Sequence, residues 1–359
     1  MSSTAHRADL LRQLEASRGS KVILYVTGDR PGWEAQISAD AVDAFIEHLD
    51  PLVGSERISL VLYTRGGNTS AAWNLTNLIR QFCDELEVII PFKAWSSGTL
   101  MSLGADKIVM TKQASLGPID PSVNSPLNPQ IPGAPAGARV PVSVEAIRGF
   151  LDLASQDLKI KDDQSVASIF NRLTEFIHPL VLGQIFRSRA QIQYLAKRLL
   201  THQVHDPEKV DRIIAFLCSE SGSHDYTINR REARELGLNI ESPDDTLYAL
   251  IKGIYASFRD EMELNTPFDP MAYISGGKPS PYQIRRCLVE SLGSGCHAFV
   301  SEGVLTPVAL GGPPGLMPMG PIPPGSMPPA PMPPAPMPPG PMPVQINDER
   351  NFEGWRKIA

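Results

Sequence analysis

Short apolar runs alternate with amphipathic stretches along the first third of the chain. KVILYVTG (21–28) is rich in β-branched and aromatic residues and stops at Gly-Asp-Arg-Pro-Gly, the pattern of a strand closed by a turn. ISLVLYT (58–64), LEVIIPFKA (86–94) and KIVMT (107–111) read as three further buried strands. Between the strands the apolar period lengthens to that of a helix. It does so in RADLLRQLEASR (7–18), in ADAVDAFIEHLDPL (39–52) behind Ser38 as N-cap, in SAAWNLTNLIRQFCDE (70–85) and in TLMSLGA (99–105). Alternation at this spacing predicts βαβ units and a largely parallel sheet, an α/β fold with right-handed crossovers.

Beyond residue 121 the pattern changes. Residues 122–143 are rich in Pro, Gly and Ala and predict a long loop, of the kind that tends to carry function. Residues 144–220 read as helical. They include SIFNRLTEFI, a basic amphipathic helix LVLGQIFRSRAQIQYLAKRLL after Pro179, and EKVDRIIAFLCSES. SHDYTINRREARELGLNIES reads as a loop, a capped helix and a glycine stop. Residues 283–305 predict a β-hairpin about Gly-Ser-Gly. From Thr306 a Met-Pro-Pro repeat takes over, and closely spaced prolines predict an extended, disordered linker. The polar INDERNFEGWRKIA that follows, with Phe352 and Trp355, is expected to be an unstructured terminus, with a docking peptide as the alternative. These shifts divide the chain into a main domain (1–265), an accessory hairpin region (266–305), a Met/Pro-rich linker (306–345) and a C-terminal peptide (346–359).

With 42% hydrophobic residues among 359, the chain can build a sizeable core. Its formal charge of -6 argues against nucleic acid as a partner, which calls for a basic excess. Four cysteines without a CxxC predict reduced thiols rather than a disulfide framework or a zinc site. The first residues carry no apolar leader, and no apolar run approaches the length of a bilayer span, so a soluble cytoplasmic protein is expected. Neither GxGxxG, a P-loop nor HExxH occurs.

Two strand-to-helix turns hold the candidate chemistry, Gly66-Gly67 and Ser96-Ser97-Gly98. In an open parallel sheet, neighbouring strands bring such turns together at the carboxyl edge. Acyl transfer needs a hydroxyl nucleophile and backbone N–H donors aimed at a developing oxyanion, and a double glycine lets the backbone approach a substrate. Ser96 with the N–H groups of Gly66 and of the next residue meets that need. A plain glycine turn and an ordinary serine N-cap are the competing reading.

The chain from LVLYTRGGNTSAAWNLTNLIRQF to VIIPFKAWSSGTLMSLGADKIVMTKQASLGPIDP, joined later by SHDYTINRREARELGL, resembles the serine dehydrogenase proteinase family. That family has the Clp/crotonase fold and is related to signal peptide peptidase A and ClpP. The resemblance covers about residues 20–242. It implies a serine-type peptidase acting on peptide or protein substrates, assembled as a homo-oligomer and needing no cofactor or metal. Carried over position by position, it makes Ser96 the nucleophile, with Gly66 and Ser97 as backbone N–H donors to the oxyanion. Arg65 departs from the family's usual Pro before the Gly-Gly pair.

The proton acceptor is harder to place. ClpP has a His downstream of its serine, whereas the corresponding PIDPSV here has none. Signal peptide peptidases use a Lys, whereas VPVSVEAIRGF offers only Arg148, whose guanidinium stays protonated. The remaining candidates are Lys159, Lys161, His178 and His224, the last beside Asp225. Lys93 would be the pyridoxal-phosphate lysine that the family's name invites, with nothing else in the sequence to support that cofactor. The rival to a peptidase is an inactive Clp-fold scaffold that recruits a partner through its Pro-rich tail. Crotonase-type acyl-CoA chemistry needs no serine at 96 and fits less well.

Overall fold

The computed structural model describes residues 3–119, 122–123, 125–135, 137–220, 223, 225–274, 278–309 and 344–358. They form two compact units, the first from residues 1–267, 285–299 and 355–359 and the second from 268–284 and 300–354. Four strands expected from the apolar runs are present: β1 (Lys21–Thr27), β2 (Ser55–Tyr63), β3 (Cys83–Ile90) and, after the two-residue β4 (Lys93–Ala94), β5 (Lys107–Met110). β1, β2, β3 and β5 pair in parallel. The helices between them are α1 (Ser3–Arg18), α2 (Val42–Leu49), α3 (Thr69–Arg80) and α4 (Ser97–Leu103).

Continuous apolar runs mark strands covered on both faces. Ile23, Tyr25, Leu60, Leu62, Val88 and Ile90 share a core with α2, α3 and α4. The alternate residues Val22, Leu24, Val61 and Ile89 are equally buried and point the other way. That second face is covered by α1 and by α10 (Asp245–Glu261), whose Phe258 stacks edge-on against Tyr63.

The helical stretch that follows β6 (Ser115–Leu116), β7 (Ser122–Val123) and β8 (Val142–Ser143) consists of α5 (Val144–Asp152), α6 (Asp163–Phe176), α7 (Pro179–Leu200) and α8 (Pro207–Ala215). After β9 (Ile228–Asn229) comes α9 (Arg230–Leu236), capped by the Asn229 side chain and ended by Gly237 at φ 105°. β10 (Ile240–Glu241) joins β5 in parallel. α11 (Pro270–Tyr273) precedes the hairpin strands β11 (Ser280–Ser291) and β12 (Gly295–Ala309). Strand order in the main sheet is β10-β5-β3-β2-β1-β11-β12-β13, and β1–β11 is antiparallel.

Three expectations need correction. The terminal peptide is a strand, β13 (Val344–Ile358), with Trp355 edge-on to Phe299. The third helix stops at Arg80, and Cys83 and Glu85 instead pair with Ser55 and Arg57 of β2, the Arg57 guanidinium bonding Glu85 at 2.5 Å. Ser38 has the extended backbone of an N-cap, but its hydroxyl makes no capping bond. In the second unit the Tyr282 hydroxyl donates to Asp348 at 2.6 Å. The repeat 310–343 lies outside the described residues. No helix among the described residues is long and apolar enough to cross a membrane.

A buried histidine pair joins α2 to the hairpin strands. His48 Nε2 lies 2.9 Å from His297 Nδ1, and His48 Nδ1 lies 2.7 Å from the Ser291 hydroxyl. One of the facing ring nitrogens must be bare for that contact to be a hydrogen bond. Burial, then the neighbouring His297 and Lys357, lower the His48 pKa to about 4. In the unfolded chain the ring takes up its proton near pH 6.5, roughly the ordinary histidine value. The stability due to this pair is therefore complete above that pH and falls as pH drops toward 4, by about 3 kcal/mol. Urea unfolding midpoints measured between pH 7 and 4.5 should fall in the wild type and flatten in His48→Gln.

Candidate active site

β2 ends at Tyr63, and Thr64-Arg65-Gly66-Gly67 carries the chain to α3, where the Asn68 side chain accepts the Ala71 N–H at 2.8 Å. The second turn is held beside the first. Thr64 N–H donates to the Lys93 carbonyl and Trp95 N–H to the Thr64 carbonyl, both at 3.1 Å. The two turns, Gly66-Gly67 and Ser96-Ser97-Gly98, thus meet at the carboxyl edge of the sheet.

Ser96 stands at the N-cap position of α4 with φ 52° and ψ −115°. A non-glycine residue with positive φ carries strain of about 1–3 kcal/mol, and such strain clusters at functional sites. Gly66 makes this geometry possible. At φ 108°, a Cβ on Gly66 would sit 2.8 Å from Ser96 Cβ and 3.2 Å from its hydroxyl oxygen. Gly66→Ala should leave the circular dichroism spectrum intact yet lower Ser96 reactivity by about 100-fold, the usual effect of an ångström's misplacement. The rate of labelling by a serine-directed reagent measures this.

The Gly66 N–H donates to Thr64 Oγ1 at 2.9 Å, so it is already engaged. Ile37 N–H donates to the Gly66 carbonyl, and Asn68 N–H donates to the Ile37 carbonyl. Gly67, between them, therefore turns its own N–H and C=O away from Ile37. Its carbonyl accepts the Ser97 hydroxyl at 2.7 Å, and its N–H has no partner among the described residues. Ser97 is buried, with its hydroxyl spent on that bond and its N–H unbonded among the described residues.

Beside the turn lies a half-buried ion pair. Lys93 Nζ donates to Asp29 Oδ2 at 2.5 Å, and the Tyr63 hydroxyl donates to Asp29 Oδ1 at 2.8 Å. Burial first, and then the Asp29 carboxylate, push the Tyr63 phenol well above its ordinary value. The Lys93 ammonium also lies 4.9 Å from the Trp95 ring centre, and Trp95 Nε1 donates to Ser115. Trp95, next to Ser96, is thereby fixed on two sides.

The Ser96 hydroxyl makes no hydrogen bond with any described residue. His178 is exposed at the N-cap of α7, where its Nδ1 accepts the Leu180 N–H at 3.2 Å. Lys159 and Lys161 are exposed in the connection between α5 and α6. His224 lies outside the described residues. The site features that sequence reasoning missed are the Gly67 N–H, the strained φ of Ser96 and the Asp29–Lys93 pair. Asp29 had one visible signal, its place in the Gly-Asp-Arg-Pro-Gly turn that ends β1.

Residues 49–139 match the family of ClpP-like SDH-type serine proteinases. An uncharacterised protein of Methanocaldococcus jannaschii is 27% identical over 244 residues, covering 66% of this chain and 73% of that protein. A second from the same organism is 26% identical over 185 residues, and the match spans about half of each chain, 52%. Among solved structures, a mutant of 1510-N, a membrane-bound stomatin-specific protease, aligns at 17% identity over 65% of this chain and 85% of that one, with a TM-score of 0.33. A ClpP1 mutant from Listeria monocytogenes aligns at 15% identity over 66% and 99%, with a TM-score of 0.35.

Proposed function

From a chain whose residues 49–139 match the ClpP-like SDH-type serine proteinases, we propose a serine peptidase with Ser96 as nucleophile. The observation that carries this reading is the strained Ser96, packed on Gly66 beside two backbone N–H groups that are unbonded among the described residues. The Ser96 oxygen attacks a peptide carbonyl carbon and gives up its proton to a base. The carbonyl oxygen becomes an oxyanion held by the N–H groups of Ser97 and Gly67, with Gly66 as the floor that admits Ser96. Collapse expels the amine with the proton from the base and leaves an acyl-Ser96 ester. Water then hydrolyses the ester and restores the serine.

His178 is engaged as a helix cap, and Lys159 and Lys161 face solvent. Within the chain we therefore assign the proton to His224, with Asp225 as the group that orients it. A homo-oligomeric assembly goes with this reading. The Ser96 hydroxyl, unpaired among the described residues, favours one alternative, an inactive scaffold with the same fold.

A fluorophosphonate reagent separates the two. Labelling should occur, map to Ser96 by mass spectrometry of the tryptic peptide, and slow on His224→Gln. A wild-type protein that takes no label is the scaffold.

A further inference from the structure

α5, α6 and α7 line a cavity of about 270 Å³. Val144, Ile147, Leu151, Phe170, Leu182 and Ile185 form most of its wall, and Arg148 and Arg189 are its polar members among the described residues. Phe186, at 76% exposure, and Phe170, at 49%, leave its rim open to solvent.

The charges on this wall are not balanced. Arg189 Nη2 donates to the Ser219 hydroxyl at 3.0 Å, its Nε is buried without an acceptor, and no carboxylate pairs with it among the described residues. Arg148 Nε lies 3.3 Å from Asp152 Oδ2, while its Nη1 is buried without a partner among the described residues. Of the two cationic guanidinium groups on this wall, Arg148 has a carboxylate beside it and Arg189 has none among the described residues. A guanidinium fork matches the two oxygens of a carboxylate, and an apolar wall matches hydrocarbon.

The geometry points to a binding site for a medium-chain carboxylate, a free fatty acid whose chain fills the cavity and whose head meets Arg189 and Arg148. An extended peptide would need donors and acceptors along its length, and this wall supplies polar groups only at the two arginines. Phosphate alone would leave the apolar wall uncovered. The site shares no residue with the Ser96 turn, so the inference stands apart from the peptidase reading.

Calorimetric titration of the full-length protein with decanoate, below its micelle concentration, tests it. Saturable one-to-one binding is expected. Octanoate should bind roughly tenfold more weakly, because each buried methylene contributes about fourfold. Decanol, with the same chain and no charge, should bind at least about tenfold more weakly, the cost of losing a charge-assisted contact. Arg189→Gln should erase the preference for decanoate over decanol without moving the unfolding midpoint of the ligand-free protein, and Arg148→Gln should weaken it where Arg189→Gln does not fold. Ser96→Ala should bind as the wild type does. Four results would overturn the assignment: no saturation, equal affinity for acid and alcohol, an Arg189→Gln and Arg148→Gln pair that bind decanoate normally, or displacement by acetyl-Leu-Leu but not by octanoate. Concentration-dependent association of the protein without decanoate binding would instead give this face to a second copy of the chain.

Discussion

Ser96→Ala will lower peptide hydrolysis by about 10⁴- to 10⁶-fold, whereas Ser97→Ala, one residue away, will lower it less than about tenfold. The two hydroxyls are spent differently. That of Ser96 is unbonded among the described residues at a strained backbone position, and that of Ser97 is fixed to the Gly67 carbonyl at 2.7 Å. Removing the Ser96 oxygen removes the attacking atom itself. Removing the Ser97 oxygen leaves its backbone N–H in place and costs stability of about 1 kcal/mol, one ordinary hydrogen bond. Turnover of a quenched fluorescent peptide library by wild type and both variants measures the contrast. Equal losses in the two variants would mean that Ser96 has no special part in the chemistry.

The second large effect concerns the fold. Arg7 is fully buried and bonds Glu290 through Nε at 2.7 Å and Glu261 through Nη1 at 2.5 Å. It ties α1 to α10 and β11. Arg7→Ala leaves the Glu290 carboxylate, nearly sealed from water, without its cation and leaves Glu261 with Arg285 alone, and breaking a buried pair in this way costs about 3–5 kcal/mol. The urea midpoint of the variant at pH 7 should fall accordingly. Arg7→Met with Glu290→Leu should recover much of the loss, because the uncompensated charges go together.

The parts of this molecule readable from sequence are those whose environment is uniform. β1 and β5, and the carboxyl-terminal halves of β2 and β3, are covered on both faces and read as mainly apolar runs. The order of turns at the sheet edge followed directly, and with it the placing of Ser96 beside the glycine pair. What was hidden depended on partners far along the chain. Asp84 and Glu85 look helical locally, yet the ladder to β2 and the ion pair with Arg57 make them a strand. β13 is polar and follows a proline repeat, so nothing local announces a ladder. At the site, the sequence names both glycines but not which N–H is engaged. That choice was made by the Thr64 hydroxyl and by the pairing of Ile37 with the turn.

The Arg7 cluster also sets the schedule of folding on the ribosome. Its partners lie 254 and 283 residues downstream. At about 5–20 residues per second, α1 emerges tens of seconds before either carboxylate exists to receive its arginine. Through that interval the apolar stripe of α1, with Leu11 and Leu14, has a half-built sheet to lie on and no α10 to hold it there. Vectorial synthesis therefore delivers the α2–α3–α4 side of the sheet early and the α1–α10 side late. The nascent chain is most in need of chaperone protection on that late side.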